Sequence, residues 1–305
     1  MKREVIVPND KAHWLELRAK DITSTEIGAL FGISPYLTKF ELWHRKRYAQ
    51  VVEIEQNERM KWGTRLEDAI ARGLGDDQGW KIRRVNRYVR VPDFRIGSSF
   101  DFEIVGHDSL LEIKNVDGLA FREGWLVDGE NIEAPAHIEL QVQHQLAVSG
   151  KSACRIGALV GGNSPIILVR EAKPEIGQAI VEAAKEFWRS VDADEPPAPD
   201  FRRDASFIGE LYAAAQAGKS VDMRDDQRMV ELVRRYQEAG KAAKEAEAER
   251  DAAKAEMLTL IGDAEKVLGA GFSISAGVIA GGTVSFERKP YRGFRVSVKK
   301  EKATQ

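Results

Sequence analysis

Between residues 80 and 114 the chain alternates apolar and polar side chains with a period of two, in the runs WKIRRVNRYVRV, RIGSSFDFEIVG and SLLEIK. That period places successive side chains on opposite faces of a strand, so the region specifies sheet. The last two runs meet in FDFEIVGHDSLLEIK, residues 100–114, where Asp101, Glu103, Asp108, Glu112 and Lys114 sit among core-type residues. With the turn at Gly106-His107-Asp108-Ser109, an even loop pairs Val105 with Leu110 and puts Phe100, Phe102 and Ile104 on one face with Leu111 and Ile113. The same register sets Asp101 across from Lys114 and gathers Asp101, Glu112 and Lys114 on the other face. An odd loop would break the apolar face.

The rest of the chain surrounds this sheet with helices. After an extended stretch at Glu4–Pro8, the first 75 residues read as mostly helical, with Thr-x-x-Glu patterns at Thr23–Glu26, Thr38–Glu41 and Thr64–Glu67 that predict capping boxes. A helix is predicted over 135–149, strands at CRIGALVGG and PIILVRE, and a proline-led amphipathic helix over 174–191. This order of strands and helices predicts a mixed α/β core. The run DADEPPAPD, 192–200, reads as a linker. Residues 225–261, rich in Ala, Glu, Lys and Arg, predict a helix about 55 Å long; beyond it the tail from Gly271 to Lys300 reads as short strands separated by glycines. The expected division is a core at 1–191, a linker with a short helical segment at 192–224, and a long helix with a basic β-rich tail at 225–305.

Composition excludes several classes. Of the 305 residues 43% are hydrophobic and 31% charged, with a formal charge of −2, so nothing draws the whole molecule to a polyanion. A single cysteine, Cys154, excludes an internal disulfide and Cys-rich zinc or iron–sulfur sites. The start MKREVIVPND has no apolar core, and no stretch approaches the ~18 apolar residues of a membrane span, so a soluble, intracellular protein is expected.

Two carboxylates a few ångströms apart repel unless a cation lies between them. Mg²⁺ takes carboxylate oxygens and keeps several waters. A neighbouring lysine can orient or deprotonate a water and stabilise charge on a phosphate. On spacing alone, a cross-strand ion pair on a solvated sheet face accounts for the same residues. Glu103 is either solvated or a substitute metal ligand. Gln141, Gln143 and Gln145 in QVQHQ cannot share one helix face, and His137 and His144 read as structural or solvated. Affinity for DNA would come from local basic groups: Lys39 with His44–Arg47; Arg83, Arg84, Arg87 and Arg90; Arg202 and Arg203. A further group, Arg288, Lys289, Arg292, Arg295, Lys299 and Lys300, is interleaved with Tyr291 and Phe294, and a solvated hairpin explains it equally well.

The Asp-x(10)-Glu-x-Lys signature, with GTRLEDAIARGL before it and QVQHQ after it, resembles the restriction-endonuclease-like nucleases. With the opening block WLELRAKDITSTEIGALFGISPYLTKFELWHRK it is similar to the YqaJ family of phage recombination exonucleases, over roughly residues 10–195. The resemblance implies a restriction-endonuclease-like core, a mixed sheet flanked by helices, with the long helix and small β appendage attached. It implies that Asp101 and Glu112 hold Mg²⁺, or Mn²⁺ in its place, with the main-chain carbonyl of Ile113; that Lys114 positions the attacking water; that Glu67 serves a second metal or its water shell; and that Gln143 supports the lysine. Arg18 and Thr25 would grip a 5′-terminal or scissile phosphate. Read from residues alone, Glu67 fits a capping box with Thr64, and Arg18 and Thr25 fit an ordinary surface. The resemblance further implies 5′ to 3′ digestion of linear double-stranded DNA, a homo-trimeric ring, a single-strand annealing partner, and a phage or prophage origin in a bacterial cytoplasm. An endonuclease of the same fold and a non-catalytic DNA-binding module are the alternatives. The single cysteine excludes the iron–sulfur relatives of this fold.

Overall fold

Four short strands and one long one carry the alternating region, and their pairing decides where its charges go. In the computed structural model, which describes residues 1–50, 57–129, 131–288 and 291–297, the chain order begins β1 (Glu4–Ile6), α1 (Lys11–Lys20), β2 (Ile22–Thr23), α2 (Ile27–Leu30), α3 (Lys39–Arg47) and α4 (Glu58–Gln78). It continues with β3 (Ile82–Arg84), β4 (Tyr88–Val91), β5 (Ile96–Ser98), β6 (Phe102–Ile104), β7 (Ser109–Val116), α5 (Gly118–Gly124), β8 (Leu126–Asp128), β9 (Asn131–Glu133) and α6 (Ala136–Ser149). Then come β10 (Ala153–Val160), β11 (Ser164–Glu171), α7 (Pro174–Asp192), α8 (Ala205–Leu211), α9 (Gln227–Ile261), β12 (Lys266–Gly269) and β13 (Phe272–Ser275). Contacts divide the chain into two compact units, Met1–Ile208 and Gly209–Gln305.

The first unit is the mixed α/β architecture that the sequence predicts. Its main sheet has the order β11-β10-β7-β6-β3, with β7 and β10 parallel through the α6 crossover and the other pairs antiparallel. A second sheet, β1-β4-β5-β2, has β2 and β5 parallel at one edge. Both faces of the main sheet are covered. Phe102, Ile104, Leu111 and Ile113 pack against Ile70, Ala71 and Leu74 of α4, while Leu110, Cys154, Ile156 and Ala158 join the larger core with α6 and α7. The odd and even positions of β7 therefore go to different helices, and Glu112 and Lys114 lie on the α6 side.

The hairpin register differs from the predicted one by two residues. Phe102 pairs with Leu111 and Glu103 with Leu110, and the next step brings Asp101 opposite Glu112 rather than Lys114. The cause is the turn. Gly106 adopts φ +83° and the His107 N–H donates to the Ile104 carbonyl at 3.1 Å, so the reversal begins at Val105 and Ser109 joins the strand. The loop remains even, which preserves the faces and moves the pairing by one step at each end.

Local expectations are met unevenly. Thr38 caps α3 by accepting the Glu41 N–H at 3.1 Å, but the Glu41 carboxylate turns to Arg45 instead of closing the box. Glu26 reaches back to the Thr23 N–H at 2.9 Å and also accepts the Thr23 hydroxyl. Thr64 lies inside α4, whose cap is Asn57, and its hydroxyl donates to the Met60 carbonyl at 3.2 Å. Gly97 is required by close approach, because a Cβ there would lie 2.2 Å from the hydroxyl oxygen of the fully buried Tyr88.

The first unit continues past the proline-rich run. Asp204, fully buried, accepts the Thr38 hydroxyl, Arg203 donates to the Ser34 carbonyl at 2.5 Å, and Phe207 packs on Phe40 and His44. In the second unit α9 buries none of its residues, and β12 pairs with β13. Among the described residues after Ser275 there is no strand, against the predicted β-rich tail. Lys289, Lys299 and Lys300 lie outside the described residues.

His144, buried on α6, has its pKa lowered to about 4 by burial, against about 6.5 in an unfolded chain. The unfolded state then binds the proton better. The stability contributed by neutral His144 is complete above pH 6.5 and is lost as pH falls toward 4, a swing of about 3 kcal/mol. Chemical denaturation from pH 7 to pH 4 is expected to show a steeper loss in the wild type than in His144→Leu. Parallel curves would contradict this placement of the histidine.

Candidate active site

Glu112 on β7 is buried and every oxygen of its carboxylate is engaged. Oε1 accepts Lys114 Nζ at 2.6 Å and Gln141 Nε2 at 2.6 Å, and Oε2 accepts Gln145 Nε2 at 2.7 Å. Gln141 Oε1 also receives Lys114 Nζ, at 3.2 Å. Gln141 and Gln145 are four apart and so share a face of α6. Gln143 falls on another face. Its amide donates to the Glu171 carbonyl at 2.9 Å and accepts the Lys173 N–H at 2.9 Å, fastening the β11–α7 connection. The expected role of Gln143 beside the lysine is thus corrected to Gln141, with Gln145 added. The i, i+4 spacing was the signal in the sequence that separates this pair from Gln143.

Asp101 lies at the end of β6, where the strand bends, and its side chain replaces a ladder partner: Oδ2 accepts the Ile113 N–H at 2.8 Å. Burial, and then the Glu112 charge, push its pKa well above the usual carboxylate range, against the opposing pull of Lys114. Burial alone would weaken the Lys114 ammonium, but Glu112 and Asp101 outweigh it and raise its pKa. Asp101, Glu112 and Lys114 form one electrostatic unit. Glu67 on α4 also raises the Asp101 pKa, yet its own Oε1 accepts Arg84 Nη1 at 2.8 Å. Among the described residues no group of three or more His, Cys, Asp or Glu side chains converges as a metal cage. The donors on hand are the two carboxylates. All are hard oxygens, and their small number suits an ion that keeps most of its waters.

A second constellation is built at the end of β2. Arg18 Nη2 donates to the Thr25 hydroxyl at 3.1 Å and its guanidinium lies 4.6 Å from the centre of the Trp14 ring. The Trp14 indole donates to Ser99 Oγ at 2.8 Å, and Ser98 Oγ donates to Ser24 Oγ at 3.1 Å. Because β2 and β5 run parallel, Ser24-Thr25 and Ser98–Asp101 leave the two strands in the same direction. The Arg18–Thr25 pair is thereby tied to the segment that carries Asp101.

Several expected charges have other work. Glu103 is held by Arg83 and by Arg87, the latter at 3.0 Å, which lower its pKa against the cost of burial, so it is neither solvated nor poised for a metal. Arg90 makes a bidentate pair with Asp21. Lys46 is buried, with Nζ on the Glu26 carboxylate and the Arg18 and Asp21 carbonyls, while Arg45 pairs with Glu41 and Arg47 with Asp194. His44 is buried against Phe40 and Phe207. Most arginines and lysines of these two sequence clusters thus pair with acids of the fold, and Arg83 keeps 66% of its side chain exposed while doing so.

The sequence itself has relatives. A model of the YqaJ-like viral recombinase domain matches residues 13–152, which include Arg18, Thr25, Glu67, Asp101, Glu112, Lys114 and both site glutamines. "Uncharacterized protein YqaJ" of Bacillus subtilis (strain 168) is 30% identical over 230 residues, covering 73% of this chain and 70% of that protein. The chain belongs to the YqaJ-like family. Solved structures with similar coordinates include an alkaline exonuclease, LHK-Exo, from Laribacter hongkongensis. It is 17% identical with a TM-score of 0.48, covering 64% of this chain and 98% of that one. Another is a phage related exonuclease from Haemophilus somnus 129PT, 10% identical with a TM-score of 0.41, covering 57% and 96%. The family assignment rests on the sequence matches.

Hydrogen bonds to a buried charge are worth about 1.5–3 kcal/mol. Gln145→Leu, which removes a donor to Glu112 at similar volume, is expected to lower unfolding stability by about 2 kcal/mol. In Glu112→Gln the same change should cost clearly less. Equal costs in the two backgrounds, measured by urea denaturation, would contradict the coupling.

Proposed function

We propose that this YqaJ-like chain is a metal-dependent deoxyribonuclease, an exonuclease that hydrolyses phosphodiester bonds of linear double-stranded DNA from the 5′ end in phage-type recombination. The observation that carries the reading is the buried Glu112 carboxylate, shared by Lys114, Gln141 and Gln145 and set opposite Asp101. A solvated ion pair needs no such enclosure. Burying charge beside like charge is costly, and functional sites are where such arrangements concentrate.

Asp101 and Glu112, with the Ile113 carbonyl, would hold Mg²⁺ or Mn²⁺, and the bound ion would acidify a coordinated water and neutralise charge on the phosphate. Lys114, held by Glu112 and Gln141, would act on the attacking water or on a phosphate oxygen. Gln141 fixes the Lys114 Nζ position, and Gln145 fixes the second Glu112 oxygen. Arg18 and Thr25 supply a guanidinium and a hydroxyl to a phosphate one or more nucleotides from the cut. Glu67 would join through the water shell once released from Arg84. A homo-trimeric ring, a single-strand annealing partner and a bacterial cytoplasmic setting belong to the same proposal and rest on family resemblance.

The reading is tested by nucleotide release from linear duplexes labelled at the 5′ or the 3′ end, in Mg²⁺ and in EDTA, beside a closed circular duplex. Release from 5′ ends alone, abolished by EDTA and reduced about 100-fold or more in Lys114→Ala, is expected. Cutting of the circle would make the chain an endonuclease. Absence of release with any divalent ion would reduce the carboxylate cluster to a structural feature.

A further inference from the structure

Three residues of α6, His137, Gln141 and Gln145, recur every fourth position and form one stripe. The two glutamines hold Glu112, and His137 continues the stripe one turn toward the helix start. Its imidazole is partly buried, and burial followed by the Lys114 charge lowers its pKa, so it stands within electrostatic reach of the lysine. Against it rests Tyr36, with ring centroids 5.8 Å apart and planes at 89°, an edge-to-face contact. Tyr36 is 83% exposed.

An exposed aromatic side chain is ordinarily mobile, but the backbone beneath this one is tied down. The N–H groups of Ile33 and Ser34 both donate to the Gly28 carbonyl, at 3.0 and 3.1 Å. Ser34 Oγ accepts the N–H groups of Tyr36 and Leu37 at 3.3 and 3.2 Å, and the Ser34 carbonyl is held by Arg203. The ring is therefore presented at the outer end of the stripe that leads to Glu112 and Lys114, with most of its surface open to solvent. A hydrophobic core gains nothing from a tyrosine placed there. A nucleic-acid strand passing over the lysine gains a stacking surface that takes any base, since every base has a π-face.

We propose that Tyr36, braced edge-on by His137, stacks on one nucleobase of the strand whose phosphate lies at Lys114. The assignment rests on the nuclease reading and names a substrate-binding residue within it. Arg18 and Thr25 grip backbone, and Tyr36 fixes the position of a base, so that together they set the register of the strand over the carboxylates.

The test uses 5′-phosphorylated linear duplexes carrying a single abasic nucleotide at each of the first few positions in turn. Dissociation constants are read by fluorescence anisotropy in Ca²⁺, and KM in Mg²⁺, for wild type, Tyr36→Ala and Tyr36→Phe. In the wild type one abasic position is expected to weaken binding about tenfold, as loss of one base–aromatic stack does. Tyr36→Ala should bind the intact and that abasic duplex equally weakly, and Tyr36→Phe should restore the difference between them. An abasic penalty that persists in Tyr36→Ala, or wild-type binding indifferent to every abasic position, overturns the assignment. Hydrolysis with no Tyr36-dependent pattern keeps the nuclease and removes the stack. The pattern without hydrolysis keeps the stack and removes the nuclease.

Discussion

A carboxylate stripped of water must find donors for its lone pairs or give up its charge, and Glu112 finds them on three side chains from two elements. Its neighbour Asp101 is less well provided. It has one main-chain N–H and the distant help of Lys114, set against burial and the Glu112 charge. The fold thus holds one carboxylate with donors on both oxygens and another whose pKa burial and the neighbouring charge raise. On the proposed reading a cation between the two carboxylates would relieve this imbalance, and the elements around them hold both in place. β7 and β10 pair in parallel so that α6 must cross over one face, and that crossover delivers Gln141 and Gln145. On the opposite face α4 covers Leu111 and Ile113, the residues that alternate with Glu112.

The basic residues show how a chain with nearly balanced charge arranges such a site. Glu103, Asp21, Glu26 and Glu41 each pair with a nearby arginine or lysine, while Lys114 is shared between Glu112 and Gln141. Arg18 is a different case. Its guanidinium meets a hydroxyl and an indole face, Thr25 and Trp14, and so keeps its charge available to an anion.

The parity of the hairpin was legible in the sequence because a strand has only two faces, and apolar residues on the wrong one would be exposed. The register was not. Two even loops satisfy the same alternation, and the positive φ of Gly106 chooses between them. The QVQHQ run marked a site helix, yet a helix of uncertain phase does not say which glutamine faces the sheet; the partners of Gln143 on β11 and α7 lie about 30 residues away. The basic clusters misled for a related reason. Pairs such as Arg90 with Asp21 or Lys46 with Glu26 form between segments distant in the chain, so a tally of local charge misses them. Tyr36 carried no signal of its own, because only the packing of its loop against α2 and Arg203 fixes it beside His137.

If the Asp101–Glu112 pair is a cation site held in readiness, the ion and the loss of one charge must act on stability in the same direction. The direct measurement is thermal unfolding of wild type and Asp101→Asn, each in EDTA and in Mg²⁺. In EDTA, Asp101→Asn is expected to melt above the wild type, because it removes a buried charge facing another. Mg²⁺ should raise the melting temperature of the wild type by binding the folded state, and should leave Asp101→Asn nearly unmoved. Equal Mg²⁺ shifts in both proteins, or a lower melting temperature for Asp101→Asn in EDTA, would contradict the account.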